Sequence, residues 1–280
     1  MVQGPIAKMR YTAAEQLQIH WVCSGQAVIA MHELIGKKIR LSWQGQIICT
    51  HCKAVTKKSF GQGYCYRCFR QLAACDYCIM APQNCHFAKG TCREPEWGLA
   101  HCFQPHIVYL ANTTGLKVGI TRATQIPTRW LDQGAAEALP IIAVSSRLQS
   151  GLIEVLFKNH VADRSNWRKL LHGEVQHLHL KEEAERLLAV VKEELCVLME
   201  KYPGEIEILA AESRQFHYPV EHFLDKAKTL NIEKTPDLEE LHTDGAYGSE
   251  DNDKKMEEME ITHVQTAVRG RKVEVSMEIE

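Results

Sequence analysis

Eight cysteines fall in four tight groups between residues 49 and 92, at spacings suited to metal ligation. Cys49 and Cys52 form one C-x2-C, and Cys65 and Cys68 form another after twelve intervening residues. Two residues between cysteines let one tight turn aim two thiolates at a single ion. Four thiolates at tetrahedral corners are what a structural zinc ion takes. The two pairs and their separation therefore predict a zinc ribbon with ligands Cys49, Cys52, Cys65 and Cys68. Cys75 and Cys78 form a third pair, followed by Cys85 and Cys92, and these four predict a second zinc site. Only one pair there is C-x2-C, so Cys102, His86 or His101 could replace Cys85 or Cys92. One or two structural zinc ions are expected.

Disulfides are the rival reading of so many cysteines. The chain begins MVQGPIAKMR, without an apolar signal core, and no stretch is long and apolar enough to span a membrane. A cytoplasmic location is expected, where thiols stay reduced. An iron–sulfur cluster finds no further motif in its support. Cys23 and Cys196 stand apart and are expected to be buried small hydrophobes.

The elements that must position these thiols can be read from periodicity. Gln18 to Val22 and Lys38 to Trp43 alternate apolar and polar residues, with Gly45 as a turn, and predict the strands that lead into Cys49. Residues 49–105 are rich in Cys, Gly and Pro and have too little apolar surface to fold without metal. At residue 106 the texture changes. His106 to Ala111, a turn Asn112-Thr113-Thr114-Gly115 and Leu116 to Thr121 predict a hairpin. A helix from about Gln125 to Ala138, a strand from Leu139 to Val144 and a helix from Leu148 to Val161 complete the order strand, strand, helix, strand, helix. Lys181 to Lys201 predicts one amphipathic helix, stopped at Tyr202-Pro203-Gly204. Residues 243–262 read as acidic and disordered, and the alternating last nine residues as an edge strand. The predicted organisation is an N-terminal β-rich segment over 1–48, a zinc-binding region over 49–105, an α/β domain over 106–175, a helical extension over 176–242 and an acidic tail over 243–280.

Composition fits a globular protein, with 45% hydrophobic and 24% charged residues and a net charge of -2. That balance hides an asymmetry. Residues 232–280 hold 14 acidic and 6 basic side chains, which leaves 27 basic and 21 acidic in residues 1–231. A mildly basic body is compatible with a polyanionic partner. The run Lys57-Lys58-Ser59-Phe60-Gly61-Gln62-Gly63-Tyr64 between the first knuckles could follow a nucleic-acid backbone and stack a base, or be a solvated loop tip.

Residues 106–171 resemble a GIY-YIG nuclease domain in motif and element order. Ile107-Val108-Tyr109 stands at the first motif and Lys117-Val118-Gly119 at the second. Arg129 lies on the first helix, Glu154 on the second, and Asn166-Trp167 follows. The whole chain also resembles a largely uncharacterised bacterial family joining a cysteine-rich half to such a domain. Gly61 to Tyr66, Gly90 to Pro95 and Lys117 to Arg122 carry that likeness. The fold class implied is α+β: a small zinc-ribbon region, a GIY-YIG-like domain with a mixed three-stranded sheet and helices, and a helical C-terminal extension.

The resemblance implies phosphodiester cleavage of DNA or RNA. Glu154 would hold Mg2+, which stabilises the leaving oxygen. Arg129 would grip the phosphate with its guanidinium fork. Tyr109 would act as base or water-positioner. Lys117 stands where many family members have tyrosine, which leaves the identity of the base open. A non-catalytic nucleic-acid-binding protein on a degenerate nuclease fold is the alternative, and a zinc-stapled adaptor is a third.

Overall fold

The computed structural model describes residues 2–5, 9–12, 17–23, 27–34, 38–61, 63–161, 169–170, 173, 175–218, 237–242 and 273–279. Asn166-Trp167, Gln62 and residues 243–262 lie outside them. Helices and antiparallel sheets are mixed in an α+β architecture. Two compact units emerge: residues 1–71 with 218–280, and residues 72–217. The two cysteine groups fall on opposite sides of that division.

In the first unit, strand Lys38–Ile48 runs on past the expected end at Trp43. Gly45, with φ +72°, is a bulge rather than a turn: Val275 pairs with Trp43 and Val273 with Ile47, so the extra residues of the long strand are left between them. Strand Val273–Ile279 confirms the alternation at the end of the chain but corrects its place. It is an interior strand, paired with Lys38–Ile48 on one side and Val2–Pro5 on the other. Strand Asp237–His242 takes the other flank of Lys38–Ile48. A separate three-stranded sheet is built from Arg10–Thr12, Gln18–Cys23 and Ala27–Ala30.

In the second unit, the predicted hairpin is present. Strand His106–Asn112 pairs with Leu116–Arg122 through a turn that ends in Gly115 at φ +152°. Strand Glu137–Val144 joins the other side of His106–Asn112. Ile206–Ile208 and Arg214–Gln215 both pair with Glu137–Val144, so strands rather than helix follow Lys201. The sheet is therefore five-stranded and wholly antiparallel, where a mixed three-stranded sheet was expected.

The helix expected from Gln125 to Ala138 is reduced to Thr128–Leu131. Gly134 at φ +64° ends the turn, and Glu137 and Ala138 are recruited to pair with Asn112 and Ala111. Helix Arg147–Lys158 follows, started by a capping box between Ser146 and Gln149. The long amphipathic stretch forms two helices, Leu180–Val190 and Lys192–Lys201, interrupted at Val191. Cys196 is exposed, against the expectation of burial. Among the described residues no helix is long and apolar enough to cross a membrane.

The sheet separates two apolar clusters, as the two-residue period of strands requires. Val108, Leu110 and Val118 meet Ile153, Phe157, Leu187 and Leu195. Ile107, Tyr109 and Ala111 meet Trp130, Ala135 and Ala138. Helix Arg147–Lys158 turns Gly151 onto the short turn Pro82–Asn84. A Cβ at Gly151 would stand 2.6 Å from Pro82 Cβ and 2.8 Å from the Gln83 backbone nitrogen. Gly151→Ala should therefore cost about 1–3 kcal/mol despite the better helix propensity of alanine, read as a lower denaturant midpoint at unchanged slope.

Candidate metal centre and candidate active site

The first knuckle begins where strand Lys38–Ile48 stops. Cys49 N–H donates to Ala54 O at 2.9 Å, and Lys53 N–H to Cys49 O at 3.1 Å. That closure puts Lys53 at φ +62°, and its ammonium caps the turn by donating to Thr50 O at 2.8 Å. The second knuckle is tied to the first by Thr50, whose N–H and hydroxyl both reach Gly63 O, at 2.7 and 2.9 Å. Helix Tyr66–Gln71 then brings in Cys68. The run between the knuckles is pinned by a bridge between Phe60 and Tyr64. Phe60 packs on Tyr66 and Phe69, with Lys58 Nζ 5.5 Å from its ring centre.

The outcome is one sulfur from each of Cys49, Cys52, Cys65 and Cys68, all within 4.8 Å of one another. Cys52 Sγ and Cys65 Sγ are 3.8 Å apart. A tetrahedron with 2.3 Å zinc–sulfur bonds has edges of about 3.8 Å, so the quartet fits a zinc ion. Cys65 N–H donates to Cys49 Sγ at 3.2 Å, the kind of support that orients a ligating thiolate. Burial opposes ionisation of Cys49, but the backbone N–H groups of Cys65, Cys52 and His51 outweigh it and lower its pKa to about 6. Cys68 moves the other way: burial first, then its hydrogen bonds to Cys65, Cys52 and Cys49, push it up to about 12. The quartet thus holds a thiolate ready for a cation.

The second group lies in the other unit, on 3-10 turns. Cys78, Cys85, Cys92 and Cys102 line one concavity, together with Asp76 and His86. Cys75 is not in its wall. His101 is turned away: its ring stacks on Trp97, and its Nδ1–H donates to Trp97 O at 2.9 Å. Arg93 and Glu94 brace the turn that carries Cys78. Arg93 Nε lies 2.9 Å from Asp76 Oδ2, and Ala73 N–H donates to Glu94 Oε2 at 2.6 Å.

The nuclease-like residues sit around the hairpin. Tyr109 is fully buried, and its neighbour across the hairpin is Gly119. Its ring lies over that glycine: a Cβ there would stand 2.6 Å from Tyr109 Oη. Gln133 Nε2 donates to Tyr109 Oη at 2.9 Å, and Trp130 packs edge-on against the ring. The charge of Arg129 favours ionisation of the hydroxyl and that of Glu154 opposes it. Burial dominates over these and raises the tyrosine's pKa, so it is a neutral phenol at pH 7. Glu154 is half-buried on its helix, with Oε2 3.2 Å from Lys158 Nζ. Lys117 is buried and faces Ala111 across the hairpin, on the Tyr109 side of the sheet. Arg129 is the exposed member of the set.

Gln133 was not singled out from sequence, and Gly119 was named there only as the end of the second motif. Gln133 follows Arg129 by four residues, one turn on, and that spacing was the available signal. His106, the first residue of the hairpin, is buried with its Nδ1–H donated to Gln104 O at 2.7 Å. Burial lowers its pKa to about 4, and the charges of Arg147 and Arg122 act in the same direction.

The profile of a family described as protein of unknown function (DUF2797) matches residues 36–249, about three quarters of the chain, and the protein belongs to that family. No curated protein matches the chain, and no solved structure does.

Two outcomes follow from this geometry. Gly119→Ala should destabilise by about 1–3 kcal/mol, because the Tyr109 ring is packed and has nowhere to move; chemical unfolding reads it. His106 takes up a proton near its ordinary 6.5 when unfolded and near 4 when folded. Stability should thus be full above about pH 6.5 and fall by about 3 kcal/mol as pH drops towards 4. His106→Asn should flatten that slope, and an unchanged slope would contradict the assignment.

Proposed function

We propose that this protein is a metal-dependent nucleic-acid endonuclease, with Arg129, Tyr109 and Glu154 at the cutting site and the zinc-bearing segments contributing to substrate binding. The resemblance of residues 106–171 to GIY-YIG nucleases supplies the reaction. The observation that carries it is that Arg129 and Glu154, from two different helices, both act on the Tyr109 hydroxyl.

In this reading Arg129, being exposed, meets the scissile phosphate with a bidentate fork. Tyr109, buried and protonated, is a positioning residue: its hydroxyl is held by Gln133 and lies within the field of the Arg129 charge. Such preorganisation matters more than proton transfer for a phosphoryl group whose charge grows in the transition state. A hydrated Mg2+ is bound through one or two carboxylates plus phosphate oxygens, so the single half-buried carboxylate of Glu154 fits it. The ion would supply charge stabilisation at the leaving oxygen. Lys117, on the same side of the sheet, adds positive charge beside the phenol.

A second reading is favoured by one observation. Tyr109 and Lys117 are both buried, leaving Arg129 alone at the surface, as befits a nucleic-acid-binding protein on a nuclease scaffold. Incubation with pooled DNA and RNA structures in Mg2+ or Mn2+ separates the two. The endonuclease reading expects cleavage that falls about 100-fold or more in Arg129→Ala and Glu154→Gln, each with an unchanged melting profile. Variants that cut like wild type would overturn the site. Binding that weakens steeply with salt, without cleavage, would establish the second reading.

A further inference from the structure

We propose that Cys78, Cys85, Cys92 and Cys102 hold a second structural zinc ion, with Cys75 outside the ligand set. The inference does not rest on the nuclease reading.

All four thiols line one concavity, although no three of their sulfurs lie within 4.8 Å of one another as those of the first quartet do, so ligation draws them inward. They arrive from four separate places. Cys78 lies in the turn Tyr77–Ile79, Cys85 follows Pro82–Asn84, Cys92 follows Gly90, and Cys102 ends helix Pro95–Cys102. Gly98 on that helix makes room for the third, since a Cβ there would sit 3.4 Å from Cys92 Sγ.

Two further observations point to an ion. Ala73 and Pro82 are the only buried apolar side chains in residues 72–105, a segment without a single strand. A stretch that long, ordered without an apolar core, requires a staple. Secondly, the buried guanidinium of Arg147 donates through Nη2 to Ile79 O at 2.7 Å, while its Nε has no partner. Ile79 is the neighbour of Cys78 in the turn Tyr77–Ile79, which places the guanidinium beside the proposed ligands. Four thiolates around Zn2+ carry a net charge of about -2, the counter-charge a desolvated guanidinium needs.

Asp76, Cys78 and His86 also offer ligand atoms within 4.8 Å of one another. Both Asp76 oxygens are engaged, however: Oδ1 accepts from Tyr77 N–H at 2.6 Å and Oδ2 faces Arg93 Nε at 2.9 Å. His86 Nδ1 is held by Thr91 Oγ1 at 2.8 Å and Nε2 lies 3.4 Å from Asp76 Oδ2. Asp76 and His86 thus brace the turn that carries Cys78, as outer partners of metal sites do.

Zinc content per full-length chain tests the assignment. Wild type should carry two equivalents. Cys92→Ala and Cys102→Ala should each carry one, as should Cys49→Ala through the other site. Cys75→Ala and His86→Ala should keep two. Cys102→His, which restores a permitted ligand, should return to two, which separates ligand loss from misfolding. Cobalt substitution of the wild-type chain gives a reading free of variants: two equivalents with all-thiolate absorption are expected. One equivalent of metal in wild type, a loss in Cys75→Ala or His86→Ala, or two retained in Cys102→Ala would each overturn the proposal.

Discussion

The contact of helix Arg147–Lys158 with the turn Pro82–Asn84 is the constraint on which the Leu72–His217 unit depends. Gly151 permits it, because any side chain there would strike Pro82 and the Gln83 backbone. Arg147, one turn earlier, locks it by donating to Ile79 O. On its other side the same helix seats Ile153 and Phe157 in the sheet's apolar cluster. It carries Glu154 between those two core residues. The place of that carboxylate is therefore set from both sides, by sheet packing and by turns that hold almost no core of their own. In the proposed second zinc site, metal ligation would make those turns a firm support, since they bury little apolar surface of their own.

Electrostatics divides the nuclease-like residues into two kinds. Tyr109 and Lys117 lie inside the hairpin, where desolvation governs the tyrosine. Arg129 reaches solvent from a helix of only four residues, Thr128–Leu131. A buried phenol held by Gln133, near an exposed guanidinium, is suited to shaping the site around that cation, and less to taking a proton from water. The hairpin register makes this possible: only glycine opposite Tyr109 leaves space for the ring to lie across the neighbouring strand.

Local signals were legible in the sequence. The hairpin His106–Arg122 followed from alternation around a Thr-Thr-Gly turn, and the first metal quartet followed from spacing alone. What failed required partners distant in sequence. Gly45 looks like a turn until Val273–Ile279 pairs on both sides of it and makes it a bulge. Glu137 and Ala138 look helical until Asn112 and Ala111 recruit them to a strand. Cys102 was open in the sequence as a substitute for Cys85 or Cys92; the fold of helix Pro95–Cys102 puts it in one wall with both of them and with Cys78. Cys196 has the composition of a core residue, but its helix turns that position outward.

Amide hydrogen exchange on zinc-loaded and chelator-treated full-length protein tests the central claim most directly: that the metal-held turns support the helix carrying Glu154. The account predicts that chelation speeds exchange across residues 72–105 and also across 147–158, while the strand amides of His106–Asn112 lose less protection. Unchanged protection of residues 147–158 after complete zinc removal would contradict it.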